Sequence, residues 1–184
     1  MIVTINDFSA QHTFECGQCF RWQRLDDGSY LGVAGGRATR ICTDGNTVNI
    51  DCSEDDYNGF WKTYLDTERD YAKIKKILSV NDIMTEAISF GSGIRILRQE
   101  FHEALISFII SQRSSIPRIK TCVSRLCENF GEPIDFHGQT LYAFPTIETL
   151  ANMSESDFAG GLDSNAHYKK VCEIAAAEGS EGLP

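Results

Sequence analysis

No stretch of this sequence approaches the ~20 consecutive apolar residues of a membrane span, which argues against a protein that crosses a bilayer. The first residues, Met1-Ile2-Val3-Thr4-Ile5-Asn6-Asp7, lack the basic segment and apolar core of an export signal, so a soluble, cytoplasmic protein is expected. Neither a second Cys-x-x-Cys nor a His-x-x-x-His accompanies Cys16-x-x-Cys19, so the sequence does not complete a four-ligand zinc site. Internal repeats and low-complexity tracts are missing as well, which removes solenoid and linker-like architectures. Nor is there an excess of positive charge. The net charge is -9, unlike that of a protein that coats nucleic acid without selectivity, since such binding relies on many lysines and arginines to release counterions.

What is there suits a globular chain. Its 184 residues can bury roughly 70% of the unfolded surface, and the hydrophobic and charged fractions, 42% and 23%, are ordinary. Seven cysteines, an odd number at irregular spacing, fit a reducing compartment rather than a disulfide scaffold. Charge is unevenly spread: between Ile94 and Cys127, Arg95, Arg98, Arg113, Arg118, Lys120 and Arg125 face only Glu100 and Glu103, a local balance of +4. Such a cluster is either a short basic footprint or a solvated helix face.

The first half is punctuated as an antiparallel meander. Strands are expected over Phe20 to Leu25, Tyr30 to Ala34, Arg37 to Thr43 and Thr47 to Asp51, separated by Asp27-Gly28, Gly35-Gly36 and Asp44-Gly45-Asn46. Ser53 with Asp56 resembles a capping box, after which Tyr57, Phe60, Trp61 and Tyr64 recur at helical spacing. A second helix is expected over Glu68 to Leu78. Gly91-Ser92-Gly93 marks the expected boundary between a sheet domain with two helices, residues 1–92, and a helical domain, residues 93–184. In the latter, Phe101 to Ile110 is apolar nearly all round, as a central buried helix should be. Ile116, Ile119, Val123, Leu126, Cys127 and Phe130 mark an amphipathic helix with Pro117 in its first turn and Gly131 at its end; Arg118, Lys120 and Arg125 lie on its other face. Shorter helices are expected at Thr146 to Ala151, Glu155 to Ala159 and Ala166 to Ala177.

Chemistry concentrates in Cys16-Gly17-Gln18-Cys19-Phe20-Arg21-Trp22. The thiols read as small reduced packing residues, or as a redox or metal pair; a redox Cys-x-x-Cys, however, normally opens a helix after a strand. Gly17, without a side chain, lets a flat ligand approach its backbone. Trp22 reads as core.

This segment, with Gly93-Ile94-Arg95-Ile96-Leu97-Arg98-Gln99, Phe108-Ile109-Ile110-Ser111-Gln112, Ile116-Pro117-Arg118-Ile119, Arg125-Leu126-Cys127-Glu128-Asn129-Phe130-Gly131 and Phe144-Pro145-Thr146, resembles the 8-oxoguanine DNA glycosylase family in order and over most of the chain. The resemblance implies an α+β fold: an antiparallel domain like that of the TATA-box-binding protein, followed by an incomplete all-α domain of the helix-hairpin-helix glycosylase type. It implies base-excision repair by a bifunctional glycosylase and apurinic/apyrimidinic-site lyase, and a monomeric protein that binds double-stranded DNA containing an oxidised purine, with no cofactor and no membrane.

The same resemblance gives Gly17 a role: its carbonyl accepts a hydrogen bond from N7–H of 8-oxoguanine, where guanine offers only an acceptor. It also places Arg118, and the turn Arg113-Ser114-Ser115 that stands where the family has an asparagine-rich turn, at the cytosine left behind by the extruded base. An arginine cannot accept a hydrogen bond as an asparagine carbonyl does. For Arg118, an ordinary solvated helix charge is the alternative. The family's lysine nucleophile and its aspartate belong to a helix-hairpin-helix expected where this sequence reaches Glu181-Gly182-Leu183-Pro184, and Gly161 to Tyr168 departs from the family's aromatic-arginine wedge. Lys169 and Lys170 precede the hairpin position and are not promoted to nucleophile. The expectation is therefore a truncated chain, inactive alone and without catalytic residues of its own. A non-catalytic DNA-lesion or nucleotide-binding module is the alternative, and a redox or metal protein using Cys16 and Cys19 the third.

Overall fold

Turn chemistry sets the topology of the first half. In the computed structural model, which describes residues 1–152, strands β1 (Ile2–Thr4), β2 (Trp22–Arg24), β3 (Tyr30–Ala34), β4 (Arg37–Asp44) and β5 (Thr47–Ile50) form an antiparallel sheet in the order β1-β5-β4-β3-β2. The expected meander is present. It gains an edge strand, β1, which pairs Ile2 with Asn49. The second strand is shorter than expected, because Phe20 and Arg21 lie ahead of it.

Between β1 and β2 runs α1 (Ala10–Glu15), capped by the Ser9 hydroxyl, which accepts from the His12 N–H over 3.2 Å. It buries Ala10, Thr13 and Phe14. Phe14 stacks on Trp22 with ring centres 3.9 Å apart, and Trp22 Nε1 donates to the Tyr64 hydroxyl over 3.0 Å. Trp22 faces Gly32 across the sheet, and a Cβ at Gly32 would lie 2.3 Å from the indole. Trp22 is thus core.

The expected cap at Ser53 forms: its hydroxyl accepts from the Asp56 N–H over 3.0 Å. It starts α2 (Glu54–Asp56), which passes through a π-helical turn over Tyr57–Trp61 into α3 (Lys62–Tyr64), burying Tyr57, Trp61 and Tyr64. Helix α4 (Tyr71–Leu78) begins later than expected, because the Asp70 carboxylate caps the Lys73 N–H over 2.9 Å. An unexpected α5 (Asp82–Phe90) follows, capped by Asn81.

Then come α6 (Phe101–Ser111), α7 (Ile116–Phe130), an antiparallel hairpin of β6 (Pro133–Phe136) and β7 (Gln139–Tyr142), and α8 (Ile147–Ala151). The hairpin shows that the second half is not helical throughout. Helix α7 buries Ile119, Cys122, Val123, Leu126 and Cys127, as its stripe predicts. Helix α6 differs from expectation: it buries Ile106, Ile109 and Ile110, yet Phe101 and Phe108 are 60% and 63% exposed. Its apolar pattern calls for packing on every side, and α7 covers one.

The chain divides into two compact units, one of Met1–Gly32 with Thr39–Gln99, the other of Val33–Ala38 with the chain from Glu100. The division thus falls after Gln99, later than Gly91–Gly93. The physical reason is a close approach: the Gly93 carbonyl accepts from the Ser9 N–H over 2.9 Å and the Thr13 hydroxyl over 3.0 Å, and a Cβ at Gly93 would lie 2.4 Å from the Ser9 side chain. What reads as a linker is a seam. The helices expected at Glu155 to Ala159 and Ala166 to Ala177 lie outside the described residues.

Candidate functional site

Helix α1 ends at Glu15, and the chain turns sharply at Gly17, whose φ is +88°. Side chains rarely adopt that conformation. Nothing lies within 4 Å of the position a Cβ would take, so one face of this backbone is open.

The next residue holds the turn. Gln18 Nε2 donates to the Thr13 carbonyl over 2.9 Å and to the Arg95 carbonyl over 2.8 Å, while its Oε1 accepts from the Leu97 N–H over 3.0 Å. The Gln18 carbonyl accepts from Gln99 Nε2 over 2.6 Å. These bonds tie the end of α1 to the extended segment after Gly93. Gln18 and Gln99 fall within the family-like segments and Thr13 in none of them, but the sequence carries no sign of their bonds. Three of these bonds, joining Gln18 to Arg95, Leu97 and Gln99, span 77 to 81 residues of sequence, and no short-range pattern announces them.

Two members of the basic cluster also belong to this frame rather than to a footprint. Arg95 is 2% exposed; it donates to the Asp66 carbonyl over 2.6 Å and to the Asn6 carbonyl, and its guanidinium carbon lies 4.4 Å from the centre of the Tyr71 ring. Burial pulls its pKa below the ordinary arginine value, with Tyr71 and Asp66 opposing. Arg98 Nε pairs with the Asp66 carboxylate over 3.2 Å, and that carboxylate also accepts from the Tyr71 hydroxyl over 2.8 Å and pairs with Arg69 over 3.1 Å. Asp66 therefore gathers the segment.

The two motif thiols differ. Cys16 is exposed, with its Sγ 3.4 Å from the Thr13 carbonyl, and Cys19 is buried, with its Sγ 3.8 Å from the Phe14 carbonyl.

In the second unit, Arg113, Ser114 and Ser115 form the turn between α6 and α7, and Arg118 stands exposed in the first turn of α7. The structure brings these four into one junction. Arg113 is exposed with φ of +56°, a left-handed conformation that costs a side-chain-bearing residue about 1–2 kcal/mol. The Ser114 N–H donates to the Ser111 carbonyl over 3.2 Å, while the Ser115 hydroxyl makes no capping bond to α7. The leading N–H groups of α7 thus suit a phosphate or a base edge. Arg125 is exposed farther along the helix, and Lys120 is half-buried. The segment Gly161 to Tyr168, Lys169, Lys170 and Glu181 to Pro184 lie outside the described residues.

A family model, the N-terminal domain of 8-oxoguanine DNA glycosylase, matches residues 1–105. An N-glycosylase/DNA lyase of Saccharomyces cerevisiae is 48% identical over 84 residues, 45% of this chain and 22% of the yeast protein. One of Arabidopsis thaliana is 28% identical over 177 residues, 90% of this chain and 48% of the plant protein. The chain thus spans about half the length, or less, of these curated relatives. Among solved structures, the apo 8-oxoguanine glycosylase/lyase of Clostridium acetobutylicum superposes with a TM-score of 0.93 at 36% identity, covering 100% of this chain and 65% of that one. The same enzyme in complex with double-stranded DNA containing cytosine opposite 8-oxoguanine gives 0.91 at 34% identity, covering 100% and 67%.

Proposed function

Because this chain belongs to the 8-oxoguanine DNA glycosylase family, we propose that it serves base-excision repair by recognising 8-oxoguanine in double-stranded DNA through the carbonyl of Gly17. The observation that carries this reading is the open, left-handed turn at Gly17. A base extruded from the duplex presents its edge to such a backbone. In 8-oxoguanine N7 carries a hydrogen and can donate to the carbonyl, whereas in guanine N7 is a lone pair and the two acceptors repel. One made hydrogen bond against one opposed pair is worth on the order of 1–3 kcal/mol, or ~10–100-fold in discrimination.

The second unit contributes the contact to the duplex. Arg118, with Arg113, Ser114 and Ser115 before it, presents donors to phosphate or to the orphaned base. Excision requires a lysine that attacks C1′ of the flipped nucleotide and an aspartate that stabilises the sugar cation. A polypeptide of these 184 residues supplies recognition without that pair, and as a monomer it binds the lesion and does not cut.

Binding to a duplex with 8-oxoguanine opposite cytosine, against the matched undamaged duplex, tests the reading. We expect preference for the lesion, lost in Gly17→Val and kept in Lys169→Ala, and no covalent adduct on borohydride trapping. Equal affinity for both duplexes would overturn lesion recognition, and a robust adduct would overturn the absence of a nucleophile.

A further inference from the structure

We propose that Gln18 is a positioning residue that aims the Gly17 carbonyl, a role that rests on the lesion-recognition reading above. The Gly17 carbonyl and the Gln18 N–H share one rigid plane that ends at the Gln18 Cα, so holding Gln18 in place leaves that oxygen only the rotations about the bonds flanking the plane. Aim matters. A hydrogen bond weakens steeply once its angle falls below ~120°, and a discrimination that rests on a single N7–H bond fails if the acceptor swings.

Glycine alone cannot hold the aim, since it passes readily between left- and right-handed backbone conformations. Gln18 narrows that freedom, being itself held at four points. Both Nε2 protons are taken, by the Thr13 carbonyl at 2.9 Å and the Arg95 carbonyl at 2.8 Å. Its Oε1 takes the Leu97 N–H at 3.0 Å, and its own carbonyl takes Gln99 Nε2 at 2.6 Å. The anchors are themselves fixed: Thr13 is fully buried in α1, and Arg95 and Leu97 are buried. The arrangement requires an amide, because only an amide offers two donors to the paired carbonyls and an acceptor to Leu97. Glutamate in its place would keep the size and the acceptor but set a carboxylate oxygen against two carbonyl oxygens.

The test is the 184-residue chain bearing Gln18→Glu, titrated by fluorescence anisotropy against the 8-oxoguanine-containing duplex and its undamaged twin, with near-ultraviolet circular dichroism to establish the fold. The expected result is unchanged affinity for undamaged DNA and a fall of about tenfold in lesion preference. A folded variant with the wild-type preference overturns the proposal, and so does one that loses both duplexes in equal proportion, as simple structural glue would. Should Gln18→Glu fail to fold, Gln99→Leu removes only the bond to the Gln18 carbonyl; a two- to threefold fall in preference is expected of it, and an unchanged preference overturns the proposal. Gly17→Ala separates the two levels. If it abolishes preference while Gln18→Glu preserves it, the positioning role alone is wrong; if the wild type shows no preference, the lesion reading falls and this role with it.

Discussion

The guanidinium carbon of Arg95 lies 4.4 Å from the centre of the Tyr71 ring, and the Tyr71 hydroxyl in turn accepts from the Ile96 N–H over 2.8 Å. The pair therefore holds the segment on which Gln18 is anchored. Arg95→Met would keep apolar bulk but orphan the Asp66 and Asn6 carbonyls that the guanidinium serves. A loss of about 3 kcal/mol is expected. Arg95→Lys should recover little, because a single ammonium cannot reproduce the planar fork. Urea denaturation checks both, as a lower midpoint at unchanged slope.

Salt dependence separates the basic cluster into its two parts. Arg118 lies exposed in the first turn of α7, in the second unit, and Arg98 belongs to the cluster around Asp66 in the first. Arg118→Ala should reduce the slope of log affinity against log salt for duplex DNA by ~0.9, the release of one counterion. Arg98→Ala should leave that slope as it is. A salt titration of DNA binding gives both numbers, and equal slopes for wild type and Arg118→Ala would remove Arg118 from the interface.

That division was not legible in the sequence. Charged residues default to the surface, so nothing in the sequence sets Arg95 and Arg98 apart from Arg118; their partner Asp66 lies 29 and 32 residues earlier. The sheet was legible because Asp-Gly and Gly-Gly turns and alternating apolar residues are local signals. The same holds for α7, whose stripe has one period over fifteen residues. The hairpin β6–β7 carries a weaker local signal, because its turn is His137-Gly138, with φ of +53° and +80°, in place of the commoner Asn-Gly. At the candidate site Gly17 was legible as a bare backbone. The Gln18 anchors are not, because three of the four join a side chain to a backbone group distant in sequence.

Alkaline pH should unfold the protein earlier than neutral pH. Burial, with a 2.5 Å bond to the Glu15 carboxylate, pushes the Tyr30 pKa above the ordinary tyrosine value, and burial with the Asp66 carboxylate does the same to Tyr71 against the opposing Ile96 bond. Both phenols hold their protons more tightly folded than unfolded. The stability they contribute is therefore complete below the unfolded tyrosine pKa of about 10 and is lost as pH rises above it, at up to about 1.4 kcal/mol per pH unit for each group. Urea midpoints should be level from about pH 7 to 9 and fall beyond about pH 10. Tyr30→Phe should make that fall shallower.

Arg113 combines an uncommon backbone with the wrong side-chain chemistry for reading a base donor. Its φ of +56° is one that asparagine tolerates better than arginine does. Cytosine exposes an amino donor, which an asparagine carbonyl can accept and a guanidinium cannot. Arg113→Asn should therefore stabilise the chain by about 0.5–1 kcal/mol and raise the ratio of affinities for 8-oxoguanine opposite cytosine over 8-oxoguanine opposite thymine, which offers a carbonyl in place of the amino donor, by about three- to tenfold. Arg113→Gly separates the two effects, because it relieves the backbone without offering an acceptor. Thermal melts should rise for both variants, whereas the opposite-base ratio should rise for asparagine alone. A ratio that rises equally in both would mean that backbone relief, and not the acceptor, governs the choice of opposite base.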